Sequence, residues 1–527
     1  MILGLGRCLN WNKFNNIYNM RKTILSLLLL LFVSNLSFAK EPTLTKKQMY
    51  KDFDQLVKII EDCNVQLPVR NAVTGIDNLK EIKKLRKGID TVTNFDGFNK
   101  LLNRAIGLVL DGHTRQDFSF YPEFESLEGI DTVQIKKMRE YYYSPENMQK
   151  IYMYNLLNYF SVPAIFYNYN YYMIGSNHII NRRNTNDTLD IHFMRLISYN
   201  GQDFCKYVEE NSNYKDRWDY KLNKYLIPGY YNLPNKGILK VEQDGEIFEF
   251  NLEDYTMALL DNTIHFIKLD SVPFKKNKER KEKKVEYFKK DSILYIYVRS
   301  MIEDSALYDK IKDAGRGKKI NKVVIDVRGN GGGSDFVWHK ILKAIVRDSL
   351  PYNIRLAYND SKIMRNKLKD YDKYSNVERL KWLNNKKVRV LSNDTYLHPD
   401  SNSLNYNGKI YILKDDGTYS AAHSLVTYAE YLDQLVSVGY PTGRMVGFGL
   451  MPSLFQLKYS KFTFRLACTM DITNCTKSID VYHDFPEIEV HQSLEEELLY
   501  PNSEYDTKSE EYLYKYDSWF KKVLELE

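Results

Sequence analysis

Polar and apolar positions alternate differently in successive stretches of this chain. From residue 40 to 110 apolar residues recur at three- and four-residue spacing: Leu56, Ile59 and Ile60, then Phe98, Leu101, Leu102, Ala105, Ile106 and Val109. Such a stripe is one face of an amphipathic helix, so the spacing predicts a small helical unit ending at Leu110, where the polar turn Asp111-Gly112-His113-Thr114 begins. Residues 120–175 are rich in Tyr and Asn with a mixed pattern. From about 178 to 260 short alternating segments read as strands and turns, among them Ile191 to Ile197 running into Tyr199-Asn200-Gly201. Between Phe274 and Lys290 Lys and Arg crowd out apolar residues, which predicts a solvated linker and a domain boundary. Beyond it strand and helix alternate. Ile293–Val298 and Val323–Val327 are buried-strand runs flanking a helical stretch through Ile311, and Trp338–Val346 is helical. Lys409–Leu413 is a strand, Ser420–Leu435 a helix and Val436–Val438 a strand. Repeated strand-helix order predicts a mixed or parallel α/β core with reactive groups where strands run into helices.

The N-terminus carries a different signal. Arg21-Lys22 precede the apolar run Ile24–Val33, and Ser37-Phe38-Ala39 follows as a small-x-small cleavage pattern. The run is about half the roughly 20 residues that span a bilayer, so it predicts an export signal, a mature chain starting at Lys40 and no stable membrane span after cleavage. Met20 stands where such a leader would start. The net charge of +7 looks basic, but Arg7, Lys13, Arg21 and Lys22 leave with the leader, so a nucleic-acid partner is not implied. Of five Cys, Cys63, Cys205, Cys468 and Cys475 remain, and in an oxidising compartment Cys468 and Cys475 are the closest couple for a bridge. No Cys-x-x-Cys pair and no His-Glu-x-x-His helix supports a metal centre.

Two strand-to-helix turns carry candidate chemistry. In Asp326-Val327-Arg328-Gly329-Asn330-Gly331-Gly332-Gly333 three consecutive glycines allow backbone N–H groups to face a ligand, which suits an anion hole. Ser334 where a dinucleotide loop needs Gly, and the lack of Gly-Lys-Ser/Thr, exclude the nucleotide loops. In Asp416-Gly417-Thr418-Tyr419-Ser420-Ala421-Ala422-His423 a Ser opens a helix. It either caps that helix or presents its hydroxyl as a nucleophile beside an amide that can donate to an oxyanion. His423, three residues on along the same helix, is badly placed to reach the Ser420 hydroxyl.

Taken in order, Val323–Gly333, Gly-Thr-Tyr-Ser-Ala-Ala (417–422) and Val-Gly-Tyr-Pro-Thr-Gly (438–443) resemble the serine peptidases of the C-terminal processing and tricorn-core family, most strongly over about 290–500. Upstream, Leu110–Thr114 resembles the histidine motif of the tricorn-like branch, and Leu196–Gly201 resembles a strand of that family's PDZ-like module. The resemblance implies Ser420 as nucleophile, with the Ala421 amide and that of Gly331 or Gly332 as oxyanion donors. The processing branch takes its base from a Lys after the Pro-Thr-x-Gly turn, but Arg444 stands here, and a guanidinium stays protonated. The resemblance to the tricorn-like branch then makes His113 the base; were His113 dispensable, Lys residues near 442–461, such as Lys458 or Lys461, would be the next candidates. It also implies an orienting carboxylate upstream of the strand Pro486–Val490: Asp480 first and Asp484 second. That branch carries a relay Ser before its histidine, whereas Gly112 stands here.

The expected fold is α/β, with a crotonase-like (ClpP/crotonase-type) protease core. Its divisions are a leader over 1–39, a helical unit over 40–118, a PDZ-like β-rich insert over 119–270, a basic linker over 271–290, the peptidase core over 291–500 and a helical tail over 501–527. The expected function is an exported, periplasmic or extracellular serine peptidase acting on proteins or peptides without a cofactor. The alternative is an inactive member that binds peptide tails or envelope proteins.

Overall fold

The structure, a computed structural model, describes residues 44–116, 163–167, 170–176, 191–211, 217–219, 224–226, 230–232, 237–243, 245–252, 283–441, 452–493, 496 and 506–526. These belong to one of two compact units, formed by Leu44–Asp117 and Phe160–Glu527. At its centre is a six-stranded sheet: β1 (Lys283–Phe288), β2 (Ile293–Val298), β3 (Lys322–Asp326), β4 (Ile410–Leu413), β5 (Leu435–Gly439) and β6 (Ile488–Glu489), in that spatial order. β1 pairs antiparallel with β2, and every later pair is parallel.

Side chains alternate strictly across this sheet, as the pleat requires. Leu294, Ile296, Val323, Ile325, Ile410 and Ile412 enter one core with Leu307 and Ile311 of α3 (Ser305–Gly315), Trp338 and Ile341 of α4 (Asp335–Ile345), and Leu425 of α5 (Ala421–Ala429). Ile293, Tyr295, Val324, Tyr411 and Leu413 enter the opposite core with Leu513 of α6 (Glu510–Lys515) and Trp519, Phe520 and Val523 of α7 (Ser518–Glu525). Burial on both faces explains why β2, β3 and β4 read as continuous apolar runs.

The basic stretch expected to be a linker differs in its second half. Lys283–Phe288 is the antiparallel edge strand, with Phe288 buried and Val285 packed on the α3 side, while Lys284 reaches the carbonyl of Lys508 at 2.7 Å. Lysine stems lie along apolar surface with their ammonium groups at polar acceptors, so charge density hid a strand.

The helical N-terminal unit contains α1 (Lys46–Cys63), opened by a Thr45/Gln48 capping box, and α2 (Phe95–Gly107), capped by Asn94. Phe53, Leu56, Ile60, Phe98, Leu102 and Ile106 pack on Phe462 and on Phe464 and Leu466 of an antiparallel strand pair, 453–456 with 463–466. Arg115–Gln116 adds a third strand to that pair, Arg115 opposite Arg465 and Gln116 opposite Phe464. A four-stranded antiparallel sheet (350–359, 375–380, 386–397 and 469–471) and a seven-stranded antiparallel one spanning 163–251 complete the described architecture. In the latter, the strand Ile191–Tyr199 ends at Asn200 and Gly201, both at positive φ. The leader and the segment Thr442–Arg444 lie outside the described residues.

Candidate active site

Both turns singled out in the sequence leave the carboxyl ends of neighbouring parallel strands, β3 and β4, and are knitted together there. The Asp415 carboxylate accepts from Gly329 N at 2.7 Å, Gly417 N at 3.0 Å and Thr418 Oγ1 at 3.1 Å. Tyr419 N donates to the Asn330 carbonyl at 2.9 Å, and Asn330, fully buried, donates from Nδ2 to Val298 O at 2.8 Å. Burial, then the neighbouring Asp416 charge, pushes the Asp415 carboxyl up, against the pull of the Gly329 N–H.

At the end of this braid Ser420 has φ 54° and ψ −131°, a conformation costly for a residue with a Cβ, and its side chain makes no capping bond to α5. The backbone is held so that Oγ projects from the turn. His113 Nε2 lies 3.2 Å from Ser420 Oγ. Three restraints bring it there from 307 positions away: the pairing of Arg115–Gln116 with the core, the bond from Ala467 N to Thr114 Oγ1 at 3.1 Å, and the Asx turn in which His113 N donates to Asp111 Oδ1 at 2.8 Å.

The other face of the imidazole meets Tyr419. Its ring stacks on His113 at a centroid separation of 4.7 Å, and its hydroxyl lies 3.0 Å from His113 Nδ1 and 3.3 Å from Asp111 Oδ1. A phenol has one proton; given to the Asp111 carboxylate, it leaves Oη accepting from Nδ1–H, and that tautomer frees the Nε2 lone pair for Ser420. Burial alone would push the Asp111 carboxyl up, but the His113 side chain and its charge, Arg70 and the His113 N–H outweigh it and hold it below the ordinary value. Gly112 belongs to the same arrangement, since a Cβ there would come within 2.6 Å of Tyr419 Oη. A side chain at position 112 would displace the Tyr419 hydroxyl from between His113 and Asp111.

Among the described residues, the N–H groups of Gly331 and Ala421 have no protein acceptor. Gly332 N donates to Asn330 Oδ1 at 2.9 Å, so of the two glycines Gly331 is the free donor. Gly332 instead makes room: its φ is 105°, and a Cβ there would collide with Cβ of Ser420.

With this geometry in place, residues 292–488 match the model of peptidase family S41. That stretch is similar to the serine peptidases of family S41. Among solved structures, mature CPAF superposes with a TM-score of 0.50 at 12% identity, covering 84% of this chain and 92% of that one. The photosystem II D1 C-terminal processing protease gives 0.33 at 10% identity, covering 86% and 96%. The tricorn protease gives 0.32 at 11% identity, covering 92% of this chain and 37% of that one. No curated protein matches the chain.

Other residues expected at the site fall elsewhere. Asp480 does not stand as the orienting group: its Oδ2 accepts from Thr476 N at 2.8 Å, Thr476 Oγ1 at 3.0 Å and Lys477 N at 3.0 Å, capping its own short 3₁₀ turn. The carboxylate beside His113 is Asp111, at 3.7 Å from Nδ1. Asp484 is fully buried against Lys414, whose Nζ donates to the Asp484 carbonyl at 2.6 Å. His423 is fully buried, and burial followed by the Lys414 charge drops its pKa well below the ordinary imidazole value. Lys458 lies over the Tyr459 ring on the strand pair that packs against the helical unit, and Lys461 turns that hairpin at φ 57°. Cys468 and Cys475, the closest couple for a bridge, are not bonded to each other. Cys468 is buried, while Cys475 lies 3.9 Å from His483 Nε2. The sequence does not single out Asp111 or Tyr419, although each stands within two residues of a candidate catalytic residue. Their only sequence signal was that adjacency.

Proposed function

We propose that this protein is an exported serine peptidase that hydrolyses peptide bonds of proteins or peptides through an acyl-enzyme on Ser420. The observation carrying this reading is the 3.2 Å approach of His113 Nε2 to the hydroxyl of a Ser held at φ 54°. In the cycle, Ser420 Oγ attacks the scissile carbonyl as its proton passes to His113 Nε2. The oxyanion is received by the Gly331 and Ala421 amides, and His113 then protonates the leaving amine. Water, deprotonated in turn by His113, releases the acyl group. Asp111, acting through Tyr419 Oη, orients the imidazole and stabilises its charged form.

The parallel sheet with both turns at its carboxyl edge supports a crotonase-like core. The seven-stranded sheet around Leu196–Gly201 supports a PDZ-like insert between the helical unit and that core. Export rests on the leader, and N-terminal sequencing of exported protein should begin at Lys40; among the described residues no helix is long and apolar enough to cross a membrane. The reading as an inactive binder drew on the missing Lys and on Gly112. Both departures accord with an active site whose base is His113 and whose relay hydroxyl comes from Tyr419.

A fluorophosphonate probe tests the reading. It should label the mature chain once, at Ser420, and Ser420→Ala should abolish both labelling and hydrolysis of an unfolded protein substrate. Labelling that survives the substitution, or a wild-type chain that neither labels nor hydrolyses, would sink it.

A further inference from the structure

The glycine loop that supplies the Gly331 amide is braced in front by the Ser420 turn, as described, and on its flank by Met301, whose N donates to Gly332 O at 2.9 Å while Ser334 N donates to Met301 O at 2.8 Å. Its rear is held by a group the proposed mechanism does not use. Arg328, between β3 and the first glycine, turns its side chain inward and is 5% exposed. Its Nε and Nη2 form a fork on Asp326, at 2.9 and 2.6 Å, while Nη1 donates to Asp517 Oδ2 at 2.6 Å. The guanidinium lies 4.8 Å from the centroid of the Trp519 ring.

Asp517 is 3% exposed and serves two masters: Oδ1 caps α7 by accepting from Phe520 N at 2.8 Å, and Oδ2 takes Arg328. Lys508, also from the C-terminal segment, donates to Asp326 Oδ2 at 3.0 Å, and Tyr295 Oη to the same oxygen at 2.7 Å. Two carboxylates and two cations therefore meet with their charges balanced, three of them buried and Lys508 half-buried. Such a cluster resists displacement, because moving any member leaves a buried charge unpaired. Three of the groups packed around Arg328 (Lys508, Asp517 and Trp519) come from the segment beyond residue 488, outside the stretch that matches the family model.

We infer that the C-terminal helix pair α6–α7 is part of the active-site framework, with Asp517 as a positioning residue that fixes the oxyanion loop through Arg328. This rests on the proposed peptidase reading and adds to it a dependence of turnover on a segment remote from the chemistry. A bidentate guanidinium restricts both translation and rotation of the residue that carries it. Gly329, the next residue, has φ 67° and no side chain of its own to anchor. Loosening Arg328 lets the loop, and with it the Gly331 N–H, drift from the position where the oxyanion forms, and a misplacement of that kind acts on the transition state more than on the bound substrate.

The test is Asp517→Asn in the full-length chain, which keeps an oxygen for either Phe520 N or Arg328 but not for both. Arg328→Lys, which keeps a cation and loses the fork, is the companion variant. Rates are normalised to Ser420 sites labelled to completion by a fluorophosphonate, so that an unfolded fraction does not count. Expected is a fall in kcat of about 10- to 100-fold with KM within about twofold, the pattern of a displaced transition-state donor, and a matching fall in the rate of Ser420 labelling. A wild-type kcat per labelled site in either variant would overturn the inference, whatever happens to Tm, since a merely structural role lowers the number of sites and not their turnover. A wild-type chain that does not label at all would instead overturn the peptidase reading.

Discussion

Replacing Tyr419 by Phe removes one hydroxyl and keeps the ring that stacks on His113. The lost oxygen lies 3.0 Å from His113 Nδ1 and 3.3 Å from Asp111 Oδ1. Among the described residues Asp111 Oδ2 is buried without a partner, so after the substitution the carboxylate keeps the His113 N–H, donated to Oδ1 at 2.8 Å. A hydrogen bond to a charged group is worth about 1.5–3 kcal/mol, and tenfold in rate corresponds to about 1.4 kcal/mol. The expected loss is therefore roughly 10- to 100-fold in kcat. The lower end is favoured, because Asp111 Oδ1 starts 3.7 Å from Nδ1 and a shift of less than about 1 Å would form a direct bond. The assay is steady-state hydrolysis of an unfolded protein substrate, with KM determined separately from kcat. Gly112→Ala sharpens it. Alone, the new Cβ drives into Tyr419 Oη and should cost about as much as removing the hydroxyl; combined with Tyr419→Phe it meets only the ring, so the two losses should fall short of additive. A Tyr419→Phe enzyme with wild-type kcat, or strict additivity in the cycle, would refute the relay through Oη.

Asp480→Asn should leave kcat unchanged and lower stability by about 1 kcal/mol through the weakened cap; a collapse of kcat with the fold intact would return Asp480 to the catalytic group. His483 supplies a pH-dependent term. Burial pulls its pKa down, but the hydrogen bonds with Cys475 and Glu430 and the Glu430 charge outweigh burial and raise it well above the ordinary value. A raised folded value stabilises below the unfolded imidazole pKa of about 6.5 and is lost as pH rises through the folded one. Thermal melts of His483→Gln should therefore show a smaller decline in Tm on the alkaline side of pH ~6.5 than the wild type; an unchanged decline would contradict this.

What the chain determines locally was legible along it. The continuous apolar runs of β2, β3 and β4, the helical stripes of α1 and α2, the glycine loop and a Ser at a strand-to-helix turn are all written by neighbours within about ten residues, the range over which periodicity and turn chemistry act. What depends on partners hundreds of residues away was not. Asp111 and Tyr419 meet because Arg115–Gln116 pairs with the strand 463–466 and the two turns share Asp415, and no spacing along the chain encodes that meeting. Asp480 looked equivalent to Asp111 as a carboxylate until its backbone partners at Thr476 and Lys477 were visible. Lys283–Phe288 read as solvated because charge is counted per residue, whereas a strand is decided by whether an open sheet edge stands beside it. The grip of Asp517 on Arg328 belongs to the same class: a buried ion pair is stable only when a fold has removed the water around both charges, and only the tertiary structure decides which charges those are.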